Sequence, residues 1–262
     1  MKYIDIHCHV FPENIAQKAV DFLQDYYGFL WEGSGTPADL TRSSLQAGVS
    51  RSIIFSSATK PEQVPVINNY ITSQVQASSG LFAGLGTIHP DFEQWEKELE
   101  RIRPLGLAGI KLHPDFQHFA IDDPRMMPLY AAARELGLIF LIHLGDPVSD
   151  ASSPRRLAHV MKRYPDLKVI AAHLGGYSRW DEGLKYLLDP PVYVDTSSSI
   201  AHTGIEKARE LIHAYGPERV LFASDYPAVT PGTAIQELTS LQLSVEDMEK
   251  ICFKNAESLF SF

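Results

Sequence analysis

Eight short apolar runs, each followed by a stretch of helical character, constrain this chain more than any other feature. They fall at residues 3–8, 52–57, 82–88, 107–112, 138–142, 168–172, 192–196 and 220–224. Most are near-continuous in Val, Ile, Leu, Phe and Ala, the pattern of parallel strands covered on both faces. Between them lie helix signals. Asp123-Pro124 and Ser153-Pro154 each pair an N-cap residue with a proline suited to the first helical position. Leu129, Ala132, Ala133 and Leu136 recur at helical spacing before Gly137. Ile205, Ala208, Leu211, Ile212 and Tyr215 do so before Gly216-Pro217. Eight alternating units in 262 residues predict an α/β chain folded as one (β/α)₈ TIM barrel, a single domain over residues 1–262. The competing architecture is an open doubly wound sheet, but no Gly-rich phosphate turn follows the first strand.

Residues 10–48 are long for one connection. They hold Phe11, Tyr26, Tyr27, Phe29 and Trp31, followed by Glu32-Gly33-Ser34-Gly35-Thr36. They are expected to form a helix plus an active-site flap over the barrel mouth; an aromatic patch packed on neighbouring helices is the plainer alternative.

Composition narrows the function classes. The net charge is −9 with no basic block, which argues against nucleic-acid or anionic-membrane surfaces. The two cysteines, Cys8 and Cys252, make no disulfide framework, so a reducing, cytoplasmic setting is expected. The start of the chain enters a strand and carries Asp5, unlike a signal peptide, and the apolar stretch 136–144 is too short to span a bilayer. The expected partner is a small molecule, and a homodimer stays open.

The expected strand ends carry the unusual chemistry. His7 and His9 close the first strand, and in a strand residues two apart share a face. Further polar residues follow: His89 after the third strand, Lys111 and His113 on the fourth, His143 and His173 after the fifth and sixth. Asp195 lies on the seventh and Asp225 closes the eighth. In a TIM barrel these ends form the active-site face. A barrel that closes on itself would set the first and last strands side by side, so His7, His9 and Asp225 would meet. Imidazoles with carboxylates suit zinc or another first-row divalent ion. Cys8 alternates away from the histidines and reads as a small buried apolar residue. His118, His159, His202 and His213 fall in loops or helices. An inward Lys111 requires a partner, since an isolated buried ammonium is costly; Asp225, Asp195 or a substrate carboxylate would serve.

Taken together, Asp5-Ile6-His7-Cys8-His9, Gly109-Ile110-Lys111-Leu112-His113-Pro114, His143, Ala172-His173-Leu174-Gly175-Gly176 and Ser224-Asp225-Tyr226-Pro227 resemble the amidohydrolase superfamily. The likeness is to the amidohydrolase-related branch that includes aminocarboxymuconate semialdehyde decarboxylase. It implies one divalent ion, zinc by expectation, on His7, His9, His143 and Asp225. His173 would then act as acid, base or electrostatic stabiliser. The resemblance also admits a binuclear arrangement, in which a carbamylated Lys111 bridges two metals and His173 becomes a ligand; one metal is preferred. The expected reaction is hydrolysis of an amide, ester or lactone by a metal-activated water, with Asp225 accepting its proton and His173 assisting. Two alternatives stand beside it: non-oxidative decarboxylation of an unsaturated or aromatic acid, with Lys111 or Arg179 holding a second carboxylate, and a metal-stabilised binding protein without turnover. His113, Trp31, Tyr177 and Trp180, with Phe116 and Phe119, are candidate pocket residues.

Overall fold

The computed structural model describes residues 1–189 and 192–260. Eight strands form one parallel sheet in sequential order: β1 Tyr3–His9, β2 Val49–Phe55, β3 Phe82–Thr87, β4 Leu107–Leu112, β5 Ile139–Ile142, β6 Val169–Ala171, β7 Tyr193–Asp195 and β8 Val220–Leu221. Each expected strand is present. The regular part of β8 stops at Leu221, yet the chain beyond it stays bonded to β1. Ile6 N–H donates to Phe222 O at 3.1 Å, Asp225 N–H to His7 O at 3.0 Å and His9 N–H to Tyr226 O at 2.6 Å. First and last strands thus lie side by side, and the barrel closes there.

Alternating side chains divide the interior into two cores. Ile53, Phe55, Leu85, Ile139, Leu141, Ile170 and Leu221 pack inside the barrel, with Ala256, Leu259 and Phe260 of the C-terminal helix Asn255–Phe260. Ile54, Ile110, Phe140, Ile142, Val194 and Phe222 face the surrounding helices. Strand β1 breaks simple alternation. Three steps from Asp5 to Cys8 match two from Ser52 to Ile54 on β2, so β1 is irregular between Asp5 and Cys8. Ile4 and Ile6 join the inner core while Cys8 joins the outer one, fully buried as expected. Gly109 allows β4 to approach β5: a Cβ there would meet Ile139 O at 2.0 Å.

Two expected helix starts fare differently. Ser153 does precede helix Pro154–Arg163. Asp123-Pro124 instead forms a turn, in which Asp123 Oδ1 accepts Arg125 N–H at 2.9 Å, and the helix begins at Met126. Residues 10–48 carry helices Glu13–Tyr27 and Pro37–Ala47, the second with a Thr36 N-cap and Pro37 at its first position. Among the described residues no helix is long and apolar enough to cross a membrane.

Candidate active site

The β1–β8 seam fixes the first group of donors. His7 Nε2 lies 3.2 Å from His9 Nε2 and 3.2 Å from Asp225 Oδ1, while His9 Nε2 lies 3.6 Å from the same oxygen. The three residues offer atoms all within 4.8 Å of one another. Asp195 Oδ2 accepts from His7 Nδ1 at 2.9 Å, so that nitrogen carries the proton and Nε2 presents its lone pair to His9 and Asp225. Burial pushes the pKa of both His7 and His9 well below the usual imidazole range, which keeps the rings neutral. Neutral nitrogens and a carboxylate oxygen converging on one point fit a divalent ion.

Lys111 is the cation that the chain itself supplies. It is fully buried, with Nζ 3.0 Å from His7 Nε2 and 4.9 Å from the centre of the Phe55 ring. The ion pair expected with Asp225 or Asp195 is not formed as a direct contact. Both carboxylates act on Lys111 through space, opposing the burial that lowers its pKa. Burial in turn raises the pKa of Asp225, against the pull of a 2.5 Å bond from the Ser198 hydroxyl and the nearby ammonium.

Next around the barrel stand His143 and His173, with His143 Nδ1 2.9 Å from His173 Nε2. The His173 Nδ1 faces Ser197 O at 3.1 Å, a pure acceptor, so Nδ1 bears the proton and Nε2 the lone pair. Burial lowers the His173 pKa to about 4. Unlike the other expected ligands, His143 does not fall in the His7–His9–Asp225 group; it clusters with His113 and Asp115. The polypeptide is strained at these strand ends. His173, Leu174, Ser198 and Asp225 have φ of 62°, 48°, 43° and 67°. Such values are uncommon for residues other than glycine and accumulate at functional sites. Asp195 holds the turn after β6 by accepting His173 N–H at 2.9 Å.

Above these groups opens a cavity of about 440 Å³. Phe22, Tyr27, Phe29, Trp31, Phe116 and Tyr177 wall it, and His9, His113, His143, His173 and Asp225 reach it. Four of the wall residues come from residues 10–48. Among the described residues no lysine or arginine lines it. Trp180 is not in the wall: its indole N–H donates to His173 O at 3.0 Å and its ring supports Tyr177. Phe119 is buried in the outer core. The Arg179 guanidinium is engaged by Asp146 O, Ser149 O, Asp150 and Glu182. His89 Nε2 donates to Gln117 O at 3.1 Å, away from the donor group.

Several contributors carried no clear sequence signal. Asp5, fully buried, accepts from Ser224 N–H at 3.0 Å and from the Ser224 hydroxyl at 2.6 Å, which ties β1 to β8 beside His7 and Asp225. Gln117 donates to Ala58 O and Ile88 O and accepts His113 N–H, clamping three strand ends.

A family model described as Amidohydrolase matches residues 4–262. A 2-amino-3-carboxymuconate-6-semialdehyde decarboxylase from Dictyostelium discoideum is 23% identical, the match covering 90% of this chain and 85% of the relative. Among solved structures, an uncharacterised TIM-barrel protein from Bordetella bronchiseptica superimposes with a TM-score of 0.81 at 18% identity, covering 100% of this chain and 99% of that one. A dihydroxybenzoic acid decarboxylase from Polaromonas sp. JS666, solved with manganese and the inhibitor 2-nitroresorcinol, has a TM-score of 0.76 at 19% identity, covering 99% and 97%.

Proposed function

This chain belongs to the amidohydrolase family, and from that premise we propose that it is a metal-dependent non-oxidative decarboxylase of an aromatic or otherwise unsaturated carboxylic acid. The observation that carries the reading is the placement of the His7–His9–Asp225 donors beneath a cavity walled by aromatic rings. Flat apolar faces over a convergent polar floor suit a planar acid whose carboxyl group points down. The relatives named above support decarboxylation over the hydrolysis expected from sequence.

In this reading His7, His9, His143 and Asp225 hold one divalent ion, manganese or zinc by the donor set. Bound there, the ion supplies Lewis-acid stabilisation of negative charge on substrate oxygens. The remaining work belongs to the chain. The aromatic walls align the ring and exclude water. The bond to the carboxyl carbon breaks, its electron pair stays on the ring carbon, CO₂ leaves and a proton takes its place. His173, in the floor with a lone pair at Nε2, is the acid–base group assigned to that proton: it takes it from the substrate's acid or hydroxyl group and returns it to the ring carbon. Lys111 adds positive charge below the carboxyl group. Residues 10–48 act as the flap.

One observation favours the binuclear hydrolase as the second reading. His143 Nδ1 and His173 Nε2 converge at 2.9 Å as a separate donor pair, and Lys111 sits in the same floor beside His7. Metal-reconstituted protein should release CO₂ from 2,6-dihydroxybenzoate while leaving a panel of lactones, esters and amides intact. Cleavage of that panel without CO₂ release would replace the first reading by the second.

A further inference from the structure

Between β4 and β5 lies a second polar cluster that the proposed reaction does not use. Asp115 follows Pro114 in the short helix Pro114–Gln117. Its side chain is only 2% exposed, and neither carboxylate oxygen has a hydrogen-bond partner. The hydroxyls of Ser149 and Ser152 stand near enough to ease its charge, against the burial that raises its pKa. Beside it the rings of His113 and His143 stack with centroids 3.8 Å apart and planes 11° from parallel. Each ring keeps one nitrogen without a partner, His113 Nδ1 and His143 Nε2. A buried carboxylate left bare is costly, so these groups need a common explanation.

An ion shared by both rings does not provide it. An imidazole lone pair lies in the ring plane, and a point between two parallel rings lies well out of both planes. A carboxylate satisfies the stack better, because its two oxygens can each accept one N–H. The other ends of the rings agree with this. His113 Nε2 lies 3.2 Å from the Tyr27 hydroxyl, which can donate to it once the His113 proton is on Nδ1. His143 Nδ1 faces the His173 Nε2 lone pair at 2.9 Å, so without an ion the His143 proton rests between them on Nδ1. An ion taken up by His143 Nδ1 would move that proton to Nε2, where it needs an acceptor.

We propose that Asp115 is a positioning residue that accepts an N–H from each ring of the His113–His143 stack and so holds His143 in the tautomer that binds the ion. The proposal rests on His143 being a ligand in the reading above. The His113 Nδ1 to Asp115 Oδ2 separation is 3.9 Å, and closing it by about 1 Å makes an ordinary hydrogen bond. Metal-ligating histidines commonly give their second N–H to a carboxylate, and losing that partner weakens the metal by about 10–100-fold.

The test is Mn²⁺ affinity by chelator competition for the wild type, Asp115→Asn, Asp115→Ala and His143→Ala, alongside melting of each metal-free protein. Asp115→Asn and Asp115→Ala should weaken Mn²⁺ by about 10–100-fold. The metal-free Asp115→Asn protein should melt at the wild-type temperature or higher, because a bare buried charge has been removed. Should Asp115→Ala not fold, Asp115→Asn decides alone. Wild-type affinity in Asp115→Asn overturns the proposal, as does a weakening matched by lost metal-free stability. Retention of Mn²⁺ by His143→Ala also overturns it, while leaving a decarboxylase built on His7, His9 and Asp225 intact.

Discussion

Two clusters of imidazole and carboxylate face the same end of this barrel, and they are satisfied in opposite ways. At the β1–β8 seam the chain orients His7 and Asp225: Asp195 holds His7 Nδ1, Lys111 faces His7 Nε2, and Ser198 bonds Asp225. At β4–β5, Asp115, His113 and His143 retain unpartnered atoms despite burial. The bonds from His7 Nδ1 to Asp195 and from Ser198 to Asp225 Oδ2 leave His7 Nε2 and Asp225 Oδ1 facing one another. Under the proposal for Asp115, the bonds of the β4–β5 cluster are completed when His143 takes up the ion. In the proposed function the seam sets where the ion sits, and the neighbouring strands set how tightly it is held.

Breaking the seam should have the largest effect. His7→Ala or Asp225→Ala should abolish retention of about one divalent ion per chain, read by elemental analysis, with activity lost in parallel. Metal retention by both variants would make the seam the wrong site. His173→Ala sharpens the contrast from the other side. It should keep the metal and lower kcat by about 10²-fold or more, the scale of a positioned acid–base group. Loss of metal from that variant would move His173 into the ligand set and favour the binuclear reading. Asp195→Asn removes the acceptor that fixes His7 and should weaken metal binding by about 10–100-fold in chelator competition. An unchanged affinity would mean that the seam does not depend on that bond. The smallest effect is expected at the cavity wall. Tyr27→Phe removes one hydrogen bond to His113, worth about 1 kcal/mol, and should raise KM by about fivefold with kcat nearly kept. A kcat loss larger than the KM change would place Tyr27 in the chemistry.

The same contrast separates what the sequence disclosed from what it hid. Apolar runs located all eight strands, because buried parallel strands leave so plain a pattern. His7, His9 and Asp225 could be paired because barrel closure makes the two ends of the chain neighbours. The irregularity in β1 was invisible, since it depends on register with β2 and not on residue type. Lys111 was correctly read as buried, but its direct partner is an imidazole and not a carboxylate. Asp115 reads in sequence as an ordinary acid in a first helical turn, and only the fold shows it facing stacked rings. Trp180 looked like a pocket residue from its place after β6; the left-handed turn at His173 and Leu174 instead turns it to support the His173 carbonyl. Leu174 and Ser198 are not residue types that announce positive φ, and His173 and Asp225 only tolerate it more readily than most, so the strain at those strand ends has no distinct mark in the sequence.

The account stands most directly on where a metal binds and how many ions there are. Crystals grown with Mn²⁺ and measured for anomalous scattering would locate every ion. The account predicts one strong peak per chain, among His7, His9, His143 and Asp225, with the Lys111 amine unmodified. Two peaks about 3.5–4 Å apart, the spacing of two-metal sites, flanking a carboxylated Lys111 would contradict it, as would a single peak away from the seam.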